Sequence, residues 1–375
     1  MALTNRSAAR KGYKISLESK VLKYGYSNAR VRAMKGFLLK GAVFSEMAKV
    51  GGIEGVVELL QRTAYKNDIA AASSMYSGSQ MVESAASKNF SACVQKLMKM
   101  TPISDRQALA SLLLKWDLTN LKNLLHAKKL GKSYEDIRPT LFPVGGLDED
   151  DFKAIMKADE RSIYREVKGT KLGKRIFSEA AQETSKGMLN TFRAALQSVD
   201  AFMKYETEVD TYIYLMIDKA LSGSGSKEAA KMSSIIKREI DAKNILIIER
   251  LKRHNAEKGR ILKSLIRGGT LNDTVIGKLI EAKDLSAVVG IVRFRFPSLT
   301  VSPESSDLSR FENALERSIA AQKIDAFYTS ILSIGVIIGF LLLKEEEVNN
   351  LRKIAKGKEF GMPEEEIRDM LVIAS

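Results

Sequence analysis

A short phrase recurs along this chain, and internal repetition constrains a fold more than any single motif does. The phrase is an acidic residue, two variable residues, an asparagine and an aliphatic residue. It occurs at Asp117–Leu121, Asp241–Ile245 and Glu347–Leu351. A glycine pair follows the first two copies, with Gly146 26 residues after Asn120 and Gly269 25 residues after Asn244. The phrase and the glycine pair therefore keep nearly the same spacing in both copies, which indicates duplication of one unit.

A weaker forerunner of the phrase lies near the N-terminus. It reads Asn28-Ala-Arg30-Val-Arg32, with arginine in place of the phrase asparagine, and Gly51-Gly52 follows it. We interpret Arg30 and Arg32 as motif residues of a first, diverged copy.

The predicted fold class is all-α. Only six prolines occur in 375 residues, and leucine, alanine, lysine and glutamate dominate stretches with helical spacing. Ser133–Asp136 and Thr270–Asp273 resemble capping boxes, and Pro363 marks the start of a last helix. Each unit is predicted as a helix carrying the phrase, a short helix, a turn in which glycine supplies positive φ, and another helix.

Three helical modules are predicted, at residues 1–110, 111–230 and 231–375, with a basic N-terminal tail at 1–14. Serine-rich segments at 222–226 and 297–307 are expected to be linkers. Residues 175–221 and 308–343 have no proline and few glycines, so we expect extended helices there.

The segment Ala326–Leu343 contains 18 consecutive uncharged residues. A helix of this length approaches the thickness of a bilayer. The run contains several hydroxyl residues, however, and charged residues follow it at once. We favour a buried helix of a bundle, in which Gly335 and Gly339 allow close approach of another helix.

The charge of the chain indicates an acidic partner class. Sixty basic and 45 acidic residues give a net charge of +15, which suits an acidic protein, an anionic membrane surface or nucleic acid. Cys93 is the only cysteine, which excludes an intramolecular disulfide, favours a reducing compartment and suggests a buried thiol. The polar N-terminus predicts no signal peptide.

No catalytic, cofactor-binding or metal-binding residues are predicted. His126 and His254 occupy different places in the repeat and lack further ligands beside them. Gly131-Lys132-Ser133 resembles the end of a phosphate-binding loop, but the glycine required five positions earlier is a histidine, and a helix precedes it instead of a strand.

The phrase residues have a predicted structural role. The acidic residue, at Asp117, Asp241 and Glu347, shares a helical face with the asparagine, so both can bond to each other or to backbone. We interpret Asn120, Asn244 and Asn350 as buried amides that fix how modules dock, with Arg352 as the basic residue of the last copy. A possible interface is formed by matched basic pairs, Lys128, Lys129, Lys252 and Arg253, although these could equally complement helix dipoles.

Taken together, these residues resemble the C subunit of archaeal-type rotary ATP synthases, a relative of the d subunit of the vacuolar ATPase. The resemblance rests on the order and spacing of several segments across nearly the whole chain. They are Tyr26–Lys35, Asp117–Lys122, Asp241–Ile245, Lys344–Ile354 and Gly361–Ile367. Leu246 departs from the pattern, since the other copies have a basic residue there, and the net charge exceeds what the family would suggest.

The resemblance implies a funnel of three similar helical domains about a pseudo-threefold axis. Such a subunit is a non-catalytic part of the rotor, seated on the proteolipid c-ring at the cytoplasmic face of the membrane. Its socket receives the central shaft, and peripheral contact with the membrane surface is possible. No cofactor and no nucleic acid are expected on this interpretation.

Two other classes remain open from the residues alone. A helical nucleic-acid-binding protein would explain the charge, although the chain lacks an aromatic and basic signature for it. A membrane protein anchored by Ala326–Leu343 would explain the apolar run.

Overall fold

The computed structural model describes residues 2–159, 162–179, 199–223, 225–299 and 307–373, with side chains from residue 18 onward outside 177–203. These residues form α-helices and two short 3₁₀ helices, and no β-strand occurs among them. The predicted all-α class is confirmed.

The helices of the described residues occur in the following order. The N-terminal region contains α1 (Ala2–Lys35), α2 (Gly41–Lys49), α3 (Ile53–Gln61), α4 (Lys66–Ala72) and α5 (Gly78–Met100). The middle region contains α6 (Arg106–Leu112), α7 (Leu114–Lys129), α8 (Tyr134–Ile137), α9 (Glu149–Lys157), α10 (Ile163–Gly169), α11 (Lys171–Glu179) and α12 (Val199–Ser222). The C-terminal region contains α13 (Lys227–Arg253), α14 (Lys258–Lys263), α15 (Asp273–Glu281), α16 (Leu285–Val292), α17 (Leu308–Thr329), α18 (Ile334–Glu359) and α19 (Glu364–Met370). The 3₁₀ helices are Ile103–Asp105 and Arg138–Thr140.

The order of elements around each phrase agrees with the sequence prediction. The phrase lies on α7, α13 and α18, and a short helix follows each of these. Ser133 caps α8 in a reciprocal capping box, as predicted. The second predicted box is wrong, because Asn272 caps α15 and the Thr270 hydroxyl donates to Asp241 instead.

The predicted helix over residues 308–343 is two antiparallel helices, α17 and α18. They are separated at Ser330–Ser333, where Leu332 has a φ of 45° and Ser333 caps α18. A Cβ on Gly339 would lie 2.8 Å from the Cα of Phe327, so glycine allows α17 and α18 to pack at this distance. The apolar run is therefore divided between the two helices of a hairpin, and its second half is buried as expected.

Membrane spanning was an alternative for this run. Among the described residues, every helix is too short or too polar to cross a bilayer.

Several other predictions concern segments that are described only in part. Residues 180–198 of the predicted helix at 175–221 lie outside the described residues, as do Ser224 and residues 300–306 of the two predicted linkers. The predicted tail at 1–14 belongs to α1 from Ala2 onward. The division at residues 110 and 230 stays a prediction.

One hydrophobic core extends through the described helices. Phe90 on α5 and Phe142 pack against Trp116 on α7, with ring centroids 4.7 Å and 4.4 Å from the indole. Cys93 is also buried beside this core, as predicted, and burial raises the pKa of its thiol to about 11. The core holds the three phrase helices in fixed positions relative to one another.

Candidate functional site

Each phrase asparagine binds the backbone of the residue 22 positions after it. The Asn120 amide donates to the Phe142 carbonyl at 2.6 Å and accepts from the Phe142 N–H at 2.9 Å. Asn244 makes the same pair of bonds with Ile266, both at 2.8 Å, and Asn350 makes it with Val372 at 2.7 and 2.9 Å. All three asparagines are buried. Each side-chain amide thus satisfies one backbone N–H and one backbone carbonyl of the connecting segment.

The acidic residue of the phrase binds the same connecting segment farther along. Asp117 accepts from the N–H groups of Gly146 and Leu147 at 2.6 and 3.0 Å. Asp241 accepts from the N–H groups of Thr270 and Leu271 at 2.7 and 3.2 Å. The two side chains of one helical turn therefore hold a whole loop against the phrase helix.

The carboxylates also explain the glycine pairs. A Cβ on Gly145 would overlap the Asp117 carboxylate, and a Cβ on Gly269 would overlap that of Asp241. We expected that a positive φ would be the reason for glycine at these positions. Within the glycine pairs, however, only Gly268 has a positive φ. The shared requirement is close approach of a carboxylate to the backbone.

A lysine completes the arrangement at the eighth residue after each asparagine. In the first two copies its ammonium group donates to two carbonyls at the C-terminal end of the second helix after the phrase helix. Lys128 binds Met156 and Ala158 at 2.9 and 2.5 Å, and Lys252 binds Leu279 and Ala282 at 3.0 and 2.8 Å. We call the asparagine, the acidic residue and this lysine the closure motif.

The third closure motif is completed by the N-terminal region of the chain. Glu347 accepts from the Leu39 N–H at 2.6 Å, and Lys358 donates to the carbonyls of Ala48 and Val50, both at 2.6 Å. Helix α2 therefore occupies the place that α9 and α15 occupy in the other two motifs. The contacts of the third motif join residues about 310 positions apart in the chain.

The environment of Asp117 changes its titration. Burial raises the pKa of this carboxyl to about 6, against the opposing effect of the Gly146 and Leu147 amides and of Arg175. An unfolded aspartate has a pKa of ~3.9. The folded state therefore binds this proton more tightly than the unfolded state does.

We predict a pH-dependent difference between the parent chain and Asp117→Asn. The contribution of Asp117 to stability is largest below a pH of ~4 and is lost as the pH rises through about 6. The unfolding free energy of the parent should thus fall by up to about 3 kcal/mol relative to the variant between these limits. Urea unfolding at a series of pH values measures the difference, and parallel curves for the two chains would contradict the prediction.

A group of charged side chains lies where the three phrase helices approach each other. Lys115 donates to Glu239 at 3.1 Å and to Glu345 at 3.2 Å, and each of these residues stands five positions before its phrase asparagine. Lys323 on α17 binds Glu239 and Glu346, both at 2.7 Å. We call these five residues the central charge cluster. Equivalent positions of the three phrase helices thus meet at one point.

The pKa values in the cluster favour the charged forms. Burial would raise the pKa of Glu239, but Lys115 and Lys323 together lower it to about 2. Burial would lower the pKa of Lys323, but Glu239 and Glu346 raise it well above its usual value. Glu239 and Lys323 are therefore ionised at neutral pH and hold the helices by buried ion pairs.

The phrase helices surround a cavity of ≈ 870 Å³ beside the cluster, which we call the central cavity. Three matched positions of each phrase helix face the cavity. They lie five residues before the phrase asparagine, one residue before it and two residues after it. They are Lys115, Thr119 and Lys122 on α7, Glu239, Lys243 and Leu246 on α13, and Glu345, Asn349 and Arg352 on α18. The lining contains seven Lys and Arg residues and eight Asp and Glu residues, so its charge is nearly balanced.

The predicted basic residues lie in several different environments. Lys128 and Lys252 have intramolecular carbonyl partners, while Lys129 and Arg253 are exposed in the last turns of α7 and α13. Arg352 packs 5.5 Å from the centre of the Phe142 ring, and burial lowers its pKa. An interface role for the first four stays a prediction.

The forerunner residues do not occupy phrase positions. Arg30 is exposed, and Arg32 donates to Asn28 and to the Ser330 carbonyl at 3.1 and 2.9 Å. The contacts of Arg32 connect α1 to the α17–α18 hairpin.

The two histidines lie at the ends of different helices. His126 lies 3.4 Å from Glu206, and His254 follows the end of α13. The described residues contain no group of three or more His, Cys, Asp and Glu side chains placed to hold a metal ion.

Sequence reasoning missed two sets of residues. The lysine of the closure motif was visible at Lys128 and Lys252, but its third counterpart, Lys358, was not identified from the sequence. The central charge cluster had no such signal, because its matched positions carry lysine in one copy and glutamate in the other two.

Comparison with known proteins identifies similar chains. The family model described as ATP synthase (C/AC39) subunit matches residues 27–370. The C subunit of the A-type ATP synthase of Methanosarcina acetivorans is 28% identical over 363 residues, which cover 93% of both chains. The C subunit of the A-type ATP synthase of Methanococcoides burtonii is 27% identical over 356 residues, covering 93% of this chain and 94% of its own.

Proposed function

This chain belongs to the ATP synthase (C/AC39) subunit family, and we propose that it is a non-catalytic central-stalk subunit of an archaeal-type rotary ATP synthase. In this role it couples the central shaft to the proteolipid c-ring as protons or sodium ions pass through the membrane. It lies at the cytoplasmic face as a peripheral membrane protein. The comparisons give no support to the nucleic-acid alternative.

The observation that carries the proposal is the meeting of three equivalent helices around one cavity. Lys115, Glu239 and Glu345 stand at the same position of each phrase helix and form one ionic contact. This arrangement supports a funnel of three similar domains with pseudo-threefold symmetry. A part that transmits torque needs stiff walls, and the closure motifs and buried ion pairs supply stiffness at matched places.

The central cavity suits a helical foot of the shaft. Its ≈ 870 Å³ is comparable to the volume of two turns of a helix ~10 Å in diameter. Because the charge of its wall is nearly balanced, the shape of the cavity and local pairing determine what fits there more than net attraction does. The shaft is therefore expected to enter between the three phrase helices.

We expect a photoreactive amino acid in the central cavity to crosslink to a protein of the shaft. Benzoylphenylalanine at Asn349, which lines the cavity, is compared with the same residue at Lys278, which is exposed on α15. Both tagged chains are purified from gently solubilised native membranes, irradiated, and every attached chain is identified. A shaft crosslink confined to the Asn349 variant is the expected result.

Other outcomes of this experiment would contradict the proposal. Co-purification of the c-ring and the shaft with crosslinks only at Lys278 would place the shaft on a different surface. Recovery of the chain without other ATP synthase subunits, under conditions that leave the complex intact, would remove the rotor assignment itself.

A further inference from the structure

Helix α1 carries more than half of the net charge of the protein. Its residues Ala2–Lys35 include nine Lys and Arg residues and one Glu, a net charge of +8, whereas the whole chain carries +15. Six of the nine bases come before residue 27, where the match to the family model begins. The part of α1 that precedes the family match therefore carries a net charge of +5.

One face of α1 fixes the helix to the rest of the molecule. Tyr24 donates to Asp105 at 2.6 Å, Ser27 donates to the Met100 carbonyl at 2.5 Å, and Val31 is fully buried. The C-terminal half of α1 consequently has a defined orientation.

The opposite face of α1 exposes apolar side chains. Leu22, Tyr26, Ala29 and Ala33 follow at intervals of four, three and four residues, which places them on one helical face. Leu22 is 88% exposed and Tyr26 is 69% exposed. Phe37, just beyond the helix, is 70% exposed. No described element covers this face.

Exposed apolar residues continue beside the C-terminal end of α1. Arg32 donates to the Ser330 carbonyl at 2.9 Å, and the Lys35 ammonium lies 4.9 Å from the centre of the Tyr328 ring. These contacts place the turn of the α17–α18 hairpin against α1. In that turn Ile331 is 67% exposed.

We propose that α1 and the adjoining hairpin turn bind the surface of an anionic phospholipid bilayer. A basic helix with exposed Leu, Tyr and Phe side chains matches a surface that offers negative head groups above an apolar layer. Nucleic acid would pair with the Lys and Arg side chains but would leave Leu22 and Ile331 without apolar partners. The proposal goes beyond the coupling function and does not depend on it.

The test is binding of the purified full-length chain to phospholipid vesicles. The protein is sedimented with vesicles of phosphatidylcholine alone and with vesicles of equal parts phosphatidylcholine and phosphatidylglycerol. The test variant replaces Arg10, Lys11 and Lys14 by Gln, and the control variant replaces Lys263, Lys278 and Lys283 by Gln, an equal loss of charge at exposed positions. Unchanged urea unfolding shows that each variant is folded.

The parent chain should bind only the anionic vesicles, with binding lost as added salt shortens the range of the attraction. The test variant should bind about 100-fold more weakly, at about fivefold for each base removed, while the control variant should bind like the parent. Leu22→Gln with Tyr26→Gln should also weaken binding, because apolar contact is lost.

Three results would overturn the proposal. These are equal binding to neutral vesicles, equal loss in the test and control variants, or no loss in the test variant. If the test variant keeps its vesicle affinity but no longer co-purifies with ATP synthase subunits, α1 is a protein-binding helix. Shaft crosslinking at Asn349 is measured separately, so failure of either proposal can be distinguished from failure of the other.

Discussion

Glu239→Gln is expected to lower the free energy of unfolding by about 3 kcal/mol, because it removes the carboxylate shared by two buried ion pairs. The Glu239 side chain is 11% exposed and binds Lys115 and Lys323, whose side chains are 14% and 6% exposed. Each lysine keeps one other glutamate, so the loss should stay near the lower end of the range for buried pairs.

Urea unfolding of matched variants measures this effect. Glu58→Gln is the control, since Glu58 forms an ion pair with Arg62 in which both side chains are at least 66% exposed, and its loss should cost less than about 1 kcal/mol. Lys115→Met combined with Glu239→Gln should lower stability further, because Glu345 then loses its ammonium partner as well. Equal costs for Glu239→Gln and Glu58→Gln would show that the central charge cluster is not a stabilising feature.

Replacing any one phrase asparagine by alanine should cost about 2 to 6 kcal/mol. Each change leaves one buried N–H and one buried carbonyl unpaired, at about 1 to 3 kcal/mol for each group. Asn67→Ala, at an exposed position of α4, should change stability by less than about 0.5 kcal/mol. Chemical denaturation of the four variants measures the difference.

Hydrogen exchange should distinguish the three asparagines by location. Asn120→Ala should raise exchange in residues 141–147, the connecting segment that Asn120 binds. Asn350→Ala should raise exchange both in residues 371–373 and in the start of α2, since Ile373 packs at Gly41. Uniform loss of protection across the chain in every variant would contradict a local role for the closure motifs.

The repeats were the most informative part of the sequence for the fold. Asn120, Asn244 and Asn350 marked the phrase helices and the short helices after them, because periodicity and capping residues are local signals. The division of α17 from α18 was not predictable in this way. The turn at residues 330–333 contains neither proline nor glycine, and Leu332 adopts its positive φ without a residue type that signals it.

The site was less predictable than the fold, because its main contacts join residues far apart in the chain. The pairing of Lys115 with Glu239 and Glu345 depends on the approach of three helices, which no local pattern encodes. Completion of the third closure motif by α2 was hidden for the same reason. The forerunner with Arg30 and Arg32 suggested an N-terminal copy of the phrase, whereas the N-terminal region supplies the missing helix of the last copy.

Closure of the third motif has a consequence for the synthesis of the protein on the ribosome. Leu39 is added to the growing chain 308 residues before Glu347, its partner. At ~5 to 20 residues per second this interval is roughly 15 to 60 s. During that time α2 has apolar residues, including Phe44 and Met47, whose final environment is incomplete. Nascent chains should therefore need protection by chaperones until α18 emerges, and truncated chains should be degraded before they can enter an assembling complex.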